Sequence, residues 1–282
     1  MADKRRRGIR PSQIVIYALL ILWSATTVFP FLWVIVNSFK NRDIILTNSF
    51  SLVFEATWEN YVKTFTRPPQ SVWMAYLNSL IISGAVTVGV MLLAGMAAFA
   101  MVRYRFRGRR VLDSLVIASL MFPVFSTIIP VFKMIKALHV TDNLIGVILP
   151  QIAGNLSFAM IILMSNIRSL PVDLEESAFM EGCNVFQVFY KIVVPVCRPA
   201  FATVAIFAFL WSYNDLFTQL FFLRSPQTWS ITRFMNEVSS QYGTDYGMMC
   251  AVVTLIVIPV LVVYVFLQKN IIRGLTAGAI KG

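Results

Sequence analysis

The chain has 282 residues, a formal net charge of +11, 58% hydrophobic residues and only 13% charged ones, with a mean hydropathy of +0.74. A soluble globular domain carries about 25% charged residues, so this composition excludes a disordered chain, a secreted disulfide scaffold and an ordinary cytosolic enzyme. Cys183, Cys197 and Cys250 stand far apart with no CxxC pair, and the basic residues fall in short bursts between apolar runs instead of forming a nucleic-acid face.

A bilayer core about 30 Å thick needs about 20 apolar residues per helical span. Six runs satisfy that length: 14–37, 73–102, 111–132, 144–165, 199–223 and 246–267. They predict an all-α polytopic membrane protein with a basic tail at 1–13, a six-span domain at 14–267 and a second tail at 268–282. Pro30, Pro123, Pro130, Pro150 and Pro259 lie inside the runs and predict kinks or broken ends. Trp23, Trp33 and Trp73 sit near span ends as interfacial anchors. Lys and Arg are about twice as frequent in the segments on the side of the two termini, Arg103, Arg105, Arg107, Arg109 and Arg110 among them, which predicts cytoplasmic termini.

The inner segment 166–198 is longer than topology requires. Residues 171–181 open like a helix, with Pro171 at the start and Asp173, Glu175 and Glu176 where the helix dipole favours acids. Leu174, Ala178 and Phe179 supply an apolar side. Gly182 lets the chain turn into a second amphipathic stretch, 185–194, in which Phe186 and Phe189 are spaced to face one way and Pro195 ends the helix. Four carboxylates against Lys191 alone suit a groove on a soluble protein better than an anionic lipid surface.

Glu176-Ser177-Ala178, then Gly182, then Ile192-Val193-Val194-Pro195 resembles the EAA signature of membrane subunits of binding-protein-dependent ATP-binding-cassette importers. Ser177 replaces an Ala, Val194 a Leu, and Glu181 stands where the carbohydrate group usually has Asp. The ending at 273–282 resembles the smaller permease subunit of the maltose type. The resemblance implies that Glu175, Glu176, Ser177, Ala178, Glu181 and Gly182 form a coupling element docked on a cytoplasmic ATPase, with Glu176 its ion-pair partner, and that residues 274–282 reach the ATPase pair. It further implies a second permease subunit, two ATP-binding-cassette subunits holding ATP and magnesium, an extracytoplasmic sugar-binding protein, and residence in a bacterial or archaeal cytoplasmic membrane.

No P-loop pattern, G-x-G-x-x-G helix opening or nucleophile elbow occurs in the sequence, and His139 is its one histidine. The expectation is a chain with no cofactor, metal or bond chemistry of its own. Asp215 is the single formal charge deep within a span. At helical spacing Trp211, Asn214, Asp215, Thr218 and Gln219 share a face that offers an aromatic plane, amides and a carboxylate. That face suits a sugar path, and it equally suits polar contact with a neighbouring helix. The outer loop 224–245 carries Arg233, Glu237, Gln241 and Tyr242, which by resemblance would reach toward the binding protein. The rival within transport is a proton-coupled secondary carrier, for which Asp215 would be the protonatable group.

Overall fold

A computed structural model describes residues 11–52, 55–66, 71–240 and 245–279, and every regular element among them is helical. The chain divides into two compact units, one of Met1–Thr66 with Val238–Leu255 and one of Arg67–Glu237 with Ile256–Gly282.

In the first unit α1 (Pro11–Asn37) is apolar on every side and exposed over most of its length, as a helix facing lipid must be. Beyond it come α2 (Arg42–Asn48) and α3 (Glu59–Thr66). They are held by polar groups taken out of water. Lys40 is fully buried and its Nζ donates to the Ser49 carbonyl at 2.7 Å; burial lowers its pKa from the ordinary lysine value. The Asn60 amide donates to the Ser38 and Lys40 carbonyls at 2.8 and 2.9 Å.

In the second unit α4 (Val72–Arg103) is capped by the Ser71 side chain at the Trp73 amide. It is followed by α5 (Arg109–Ser119), α6 (Val124–Ala137) and α7 (Leu144–Arg168). Next come α8 (Asp173–Met180), α9 (Val185–Val188), a π-helical turn (Phe189–Val193) and α10 (Val194–Val196). Then α11 (Arg198–Asn214), α12 (Leu216–Phe222), a 3-10 turn (Pro226–Thr228) and α13 (Ile231–Ser240) lead to α14 (Tyr246–Ala279). The α13 and α14 helices run through both units' residue ranges.

The core of the second unit is α4 packed on α7 and α11. Ala94, Gly95 and Ala98 of α4 are buried there, and a Cβ on Gly95 would lie 2.9 Å from the Phe201 ring. Small residues let apolar helices approach to this distance, where dispersion replaces the hydrophobic drive that lipid does not supply.

Three described helices are long and apolar enough to cross a membrane (Gln13–Asn37, Val72–Arg103 and Leu144–Arg168), and a fourth if the bent pair Val185–Val196 and Arg198–Asn214 is one span. The expected third and fifth runs are therefore not single straight spans. The third breaks between Ser119 and Val124, where Pro123 withholds an N–H and drives Phe122 from helical geometry. Pro30, Pro130, Pro150 and Pro259 remain inside helices, so proline alone does not end one. The fifth breaks at Asp215. The last helix runs on through most of the segment expected as a tail, to Ala279.

Candidate functional site

The acidic element is α8. Asp173, Glu175 and Glu176 occupy its first turn, and the residue that ends it, Gly182, has φ +87°, a left-handed conformation that glycine adopts without a Cβ clash. Asn184 and Gln187 then form a reciprocal capping box that starts α9. The sequence expectation treats 175–182 as one docking set, and the structure divides it by direction. Glu176, Ser177, Glu181 and Gly182 are exposed, whereas Glu175 and Ala178 are turned inward and buried.

Glu175 meets Arg103, whose Nε donates to Oε1 at 2.8 Å and whose Nη2 lies 2.7 Å from the same oxygen. The same guanidinium donates to the carbonyls of Ile167 and Leu170 at 3.1 Å each. One arginine at the end of α4 thus ties together the C-terminus of α7 and the first turn of α8, with side-chain exposures of 13% for Arg103 and 5% for Glu175. Topology assigned Arg103 only an anchoring charge, and no local pattern announces its partner 72 residues away.

The second amphipathic stretch also departs from expectation. Phe186 is 67% exposed while Phe189 is 3% exposed and packs against Phe99 and Phe201, so the two rings do not share one face. The helix continues through Pro195 to Val196, and an 84° bend at Cys197 redirects it into α11.

The expected sugar face is built differently from a single helical stripe. Asp215 leaves helical geometry at ψ 98° and becomes the N-cap of α12, its Oδ1 accepting from the Thr218 amide at 3.0 Å. Its Oδ2 accepts from Gln151 Nε2 of α7 at 2.8 Å. Gln151 Oε1 accepts in turn from the Ser212 hydroxyl, and Gln219 Nε2 donates to the Ser212 carbonyl at 2.9 Å. The Thr218 N–H and the Ser212 carbonyl, backbone groups on either side of the break, thereby find side-chain partners inside the protein. Gln219 Oε1 also accepts from the Ser230 and Thr232 hydroxyls.

Trp211, Asp215 and Thr218 converge on one cavity of about 710 Å³, together with Gln151, Asn155 and Phe158 of α7 and residues on both sides of the break at Pro123. Asn214 faces away and bonds its own helix at the Leu210 carbonyl, and Gln219 is buried behind the wall. Gln151 and Asn155 escaped the sequence reading, although amides one helical turn apart within an apolar run are the kind of signal that marks a function.

In the expected outer loop, Arg233 and Glu237 pair with each other across one turn of α13 at 2.7 Å, with side-chain exposures of 13% and 12%, and the guanidinium lies 4.6 Å from the Trp229 ring. Their charges are spent internally. Gln241 and Tyr242 lie outside the described residues. The start of the loop is docked on α4, where Asn78 donates to the Gln227 and Trp229 carbonyls at 2.9 Å. Asp142, at φ +57° in the α6–α7 connection, holds the same loop by accepting from the Arg224 and Ser225 amides at 2.8 and 2.9 Å and from the Ser225 and Thr228 hydroxyls. Burial pushes its pKa up, but these four donors outweigh it and hold the carboxyl down at about 2.

Residues 90–277 match the family model described as the binding-protein-dependent transport system inner membrane component. The chain belongs to that family. It is accordingly a transport component, multi-pass in the membrane, and not an enzyme. It is 35% identical over 267 residues to the diacetylchitobiose uptake system permease protein of Streptomyces coelicolor, covering 94% of this chain and 88% of the relative. It is 30% identical over 274 residues to the arabinooligosaccharides transport system permease protein of Bacillus subtilis, covering 96% of each. The fold matches a solved chain of a bacterial ABC transporter involved in the import of the acidic polysaccharide alginate at a TM-score of 0.80, with 22% identity and coverage of 95% of this chain and 99% of that one.

Proposed function

We propose that this chain is the smaller permease subunit of a carbohydrate importer, forming half of a pore for a di- or oligosaccharide. It works with a second permease, two ATP-binding-cassette subunits that supply ATP and magnesium, and an extracytoplasmic sugar-binding protein, in a cytoplasmic membrane with both termini inside. The observation that carries the reading is end-to-end similarity to permeases named for diacetylchitobiose and arabinooligosaccharide uptake.

In this reading α8 presents Glu176, Ser177 and Glu181 to a cleft in the ATPase, and Gly182 makes the turn that lets the element enter. When ATP draws the ATPases together, α8 moves as a lever. The Arg103–Glu175 joint passes that movement to α4 and α7, and the pore alternates between its two openings. Trp211, Asp215 and Thr218 border the sugar path, with Asn214 and Gln219 supporting it from outside the wall. The helix that carries Arg233 and Glu237, followed by Gln241 and Tyr242, faces the binding protein. A proton carrier is disfavoured because the chain belongs to the family of binding-protein-dependent transport components.

The test is purification of the tagged chain from its native membrane in mild detergent, with mass spectrometry of its companions. A second permease and an ATPase in stoichiometric yield are expected. Recovery of the chain alone, under conditions that preserve other membrane complexes, would refute the importer assembly.

A further inference from the structure

The cavity beside Asp215 has properties that the path assignment does not use. Its volume of about 710 Å³ falls within the range of small-molecule sites. Among its lining residues Asp215 alone carries a formal charge, with no lysine, arginine or histidine facing it. The two donors on Asp215 are a backbone amide and the Gln151 amide, both neutral, and no ion pair reaches it among the described residues. The negative charge is therefore not cancelled locally, and apolar walls such as Phe122 and Phe158 screen it less than water would. Trp211 is 47% exposed and is braced by Phe158 at 4.9 Å between ring centroids, which fixes an aromatic plane beside the carboxylate. Asn155 adds an amide to the same wall.

We propose that this cavity is a saccharide subsite carried by this subunit itself, taking neutral or amino sugars and turning away uronates and sugar phosphates. Trp211 is the platform for the C–H face of the sugar ring, and Asp215 is both the acceptor for its hydroxyls and the charge filter. A uronate brought beside Asp215 would place two carboxylates in a poorly screened pocket, whereas hydroxyl or ammonium donors find lone pairs still open on the carboxylate. The inference rests on the importer reading given above.

Gly154 offers direct access for a test, because it lines the cavity and an added Cβ there meets nothing within 4 Å. Gly154→Cys is introduced into the full importer in lipid vesicles, and its labelling by a cationic and an anionic methanethiosulfonate reagent is timed. Labelling of the parent chain is subtracted, since Cys183 is half-buried while Cys197 and Cys250 are buried. Relative to a free thiol in solution, the cationic reagent should be favoured by about tenfold or more, and Asp215→Asn should return the ratio to near the solution value. Gly154→Trp, which fills the cavity, should cut uptake of neutral disaccharides, diacetylchitobiose first, by about tenfold or more while the complex still assembles.

A cation-to-anion ratio equal to that in solution would overturn the charge filter. Failure of both reagents, with the thiol titratable after unfolding, would mean a lipid-filled or closed pocket and overturn the subsite. Undiminished uptake by Gly154→Trp would also overturn it. If wild-type vesicles take up no neutral saccharide at all while the labelling ratio is high, it is the importer reading that fails. If they transport normally and the ratio is flat, the importer stands and this inference falls.

Discussion

The joint at Arg103 can be tested quantitatively by removing its partners one at a time. Glu175→Gln keeps a carbonyl oxygen for the Nε donor at 2.8 Å and loses only charge assistance, a cost of about 1–2 kcal/mol. Arg103→Leu leaves a carboxylate with 5% side-chain exposure unpaired, and also withdraws the donor from the Ile167 and Leu170 carbonyls at the end of α7. Stranding a buried charge costs about 3–5 kcal/mol. Glu175→Leu in the Arg103→Leu background removes the stranded charge, so the double variant should recover about 2 kcal/mol relative to the sum of the single losses. The assay is a denaturant titration of the detergent-purified importer for the parent, Glu175→Gln, Glu175→Leu, Arg103→Leu and the double Leu variant, with limited proteolysis at α8 as a local readout. Additive losses within about 0.5 kcal/mol would refute the claim that these two groups form one buried unit, as would a Glu175→Gln variant as unstable as Arg103→Leu.

Glu176→Lys should leave the chain inserted and stable, because Glu176 is exposed, and should abolish transport; normal uptake in vesicles would remove Glu176 from the docking surface. In Gly146→Ala the new methyl would run into the Val140 carbonyl oxygen and lie 3.2 Å from Ile135, so thermal unfolding should show a loss of about 1–3 kcal/mol. Asp142 has its pKa lowered from 3.8 to about 2 in the folded chain, so its stabilisation is complete above about pH 4 and is lost as pH falls through 4 toward 2. The loss amounts to about 1–2 kcal/mol after allowance for partial solvent screening, and Asp142→Asn should abolish this part of the acid transition, monitored by the fluorescence of the buried Trp229.

Much of the fold was legible in the sequence because lipid imposes a length and a composition that leave few alternatives. The runs at 14–37, 73–102 and 144–165 needed only that constraint, and each is a single long helix. The acidic opening of α8, its glycine turn and the capping of α9 were readable for a related reason: caps and left-handed turns are local, and the residues that make them are adjacent in sequence. Family resemblance could be read from the same stretch, since Glu176, Gly182 and Pro195 keep their spacing whether or not the helices around them are straight.

What the sequence could not decide was direction and partnership. Glu175 and Glu176 are equivalent on composition, yet one is buried against Arg103 and the other exposed, because only the docking of α8 against α4 and α7 determines which side faces inward. The stripe drawn through Trp211, Asn214, Asp215, Thr218 and Gln219 assumed an unbroken helix, and it dissolves where Asp215 caps a new one with Gln151 as second donor. Arg233 and Glu237, expected by resemblance to reach toward a binding protein, pair with each other across one turn of α13. A polar group in a membrane bundle must find its hydrogen bonds within the protein, and which neighbour supplies them depends on contacts between segments 60 or more residues apart. Periodicity and composition determined where this chain forms helices, and only packing determined where those helices break and which of their polar side chains remain free for another molecule.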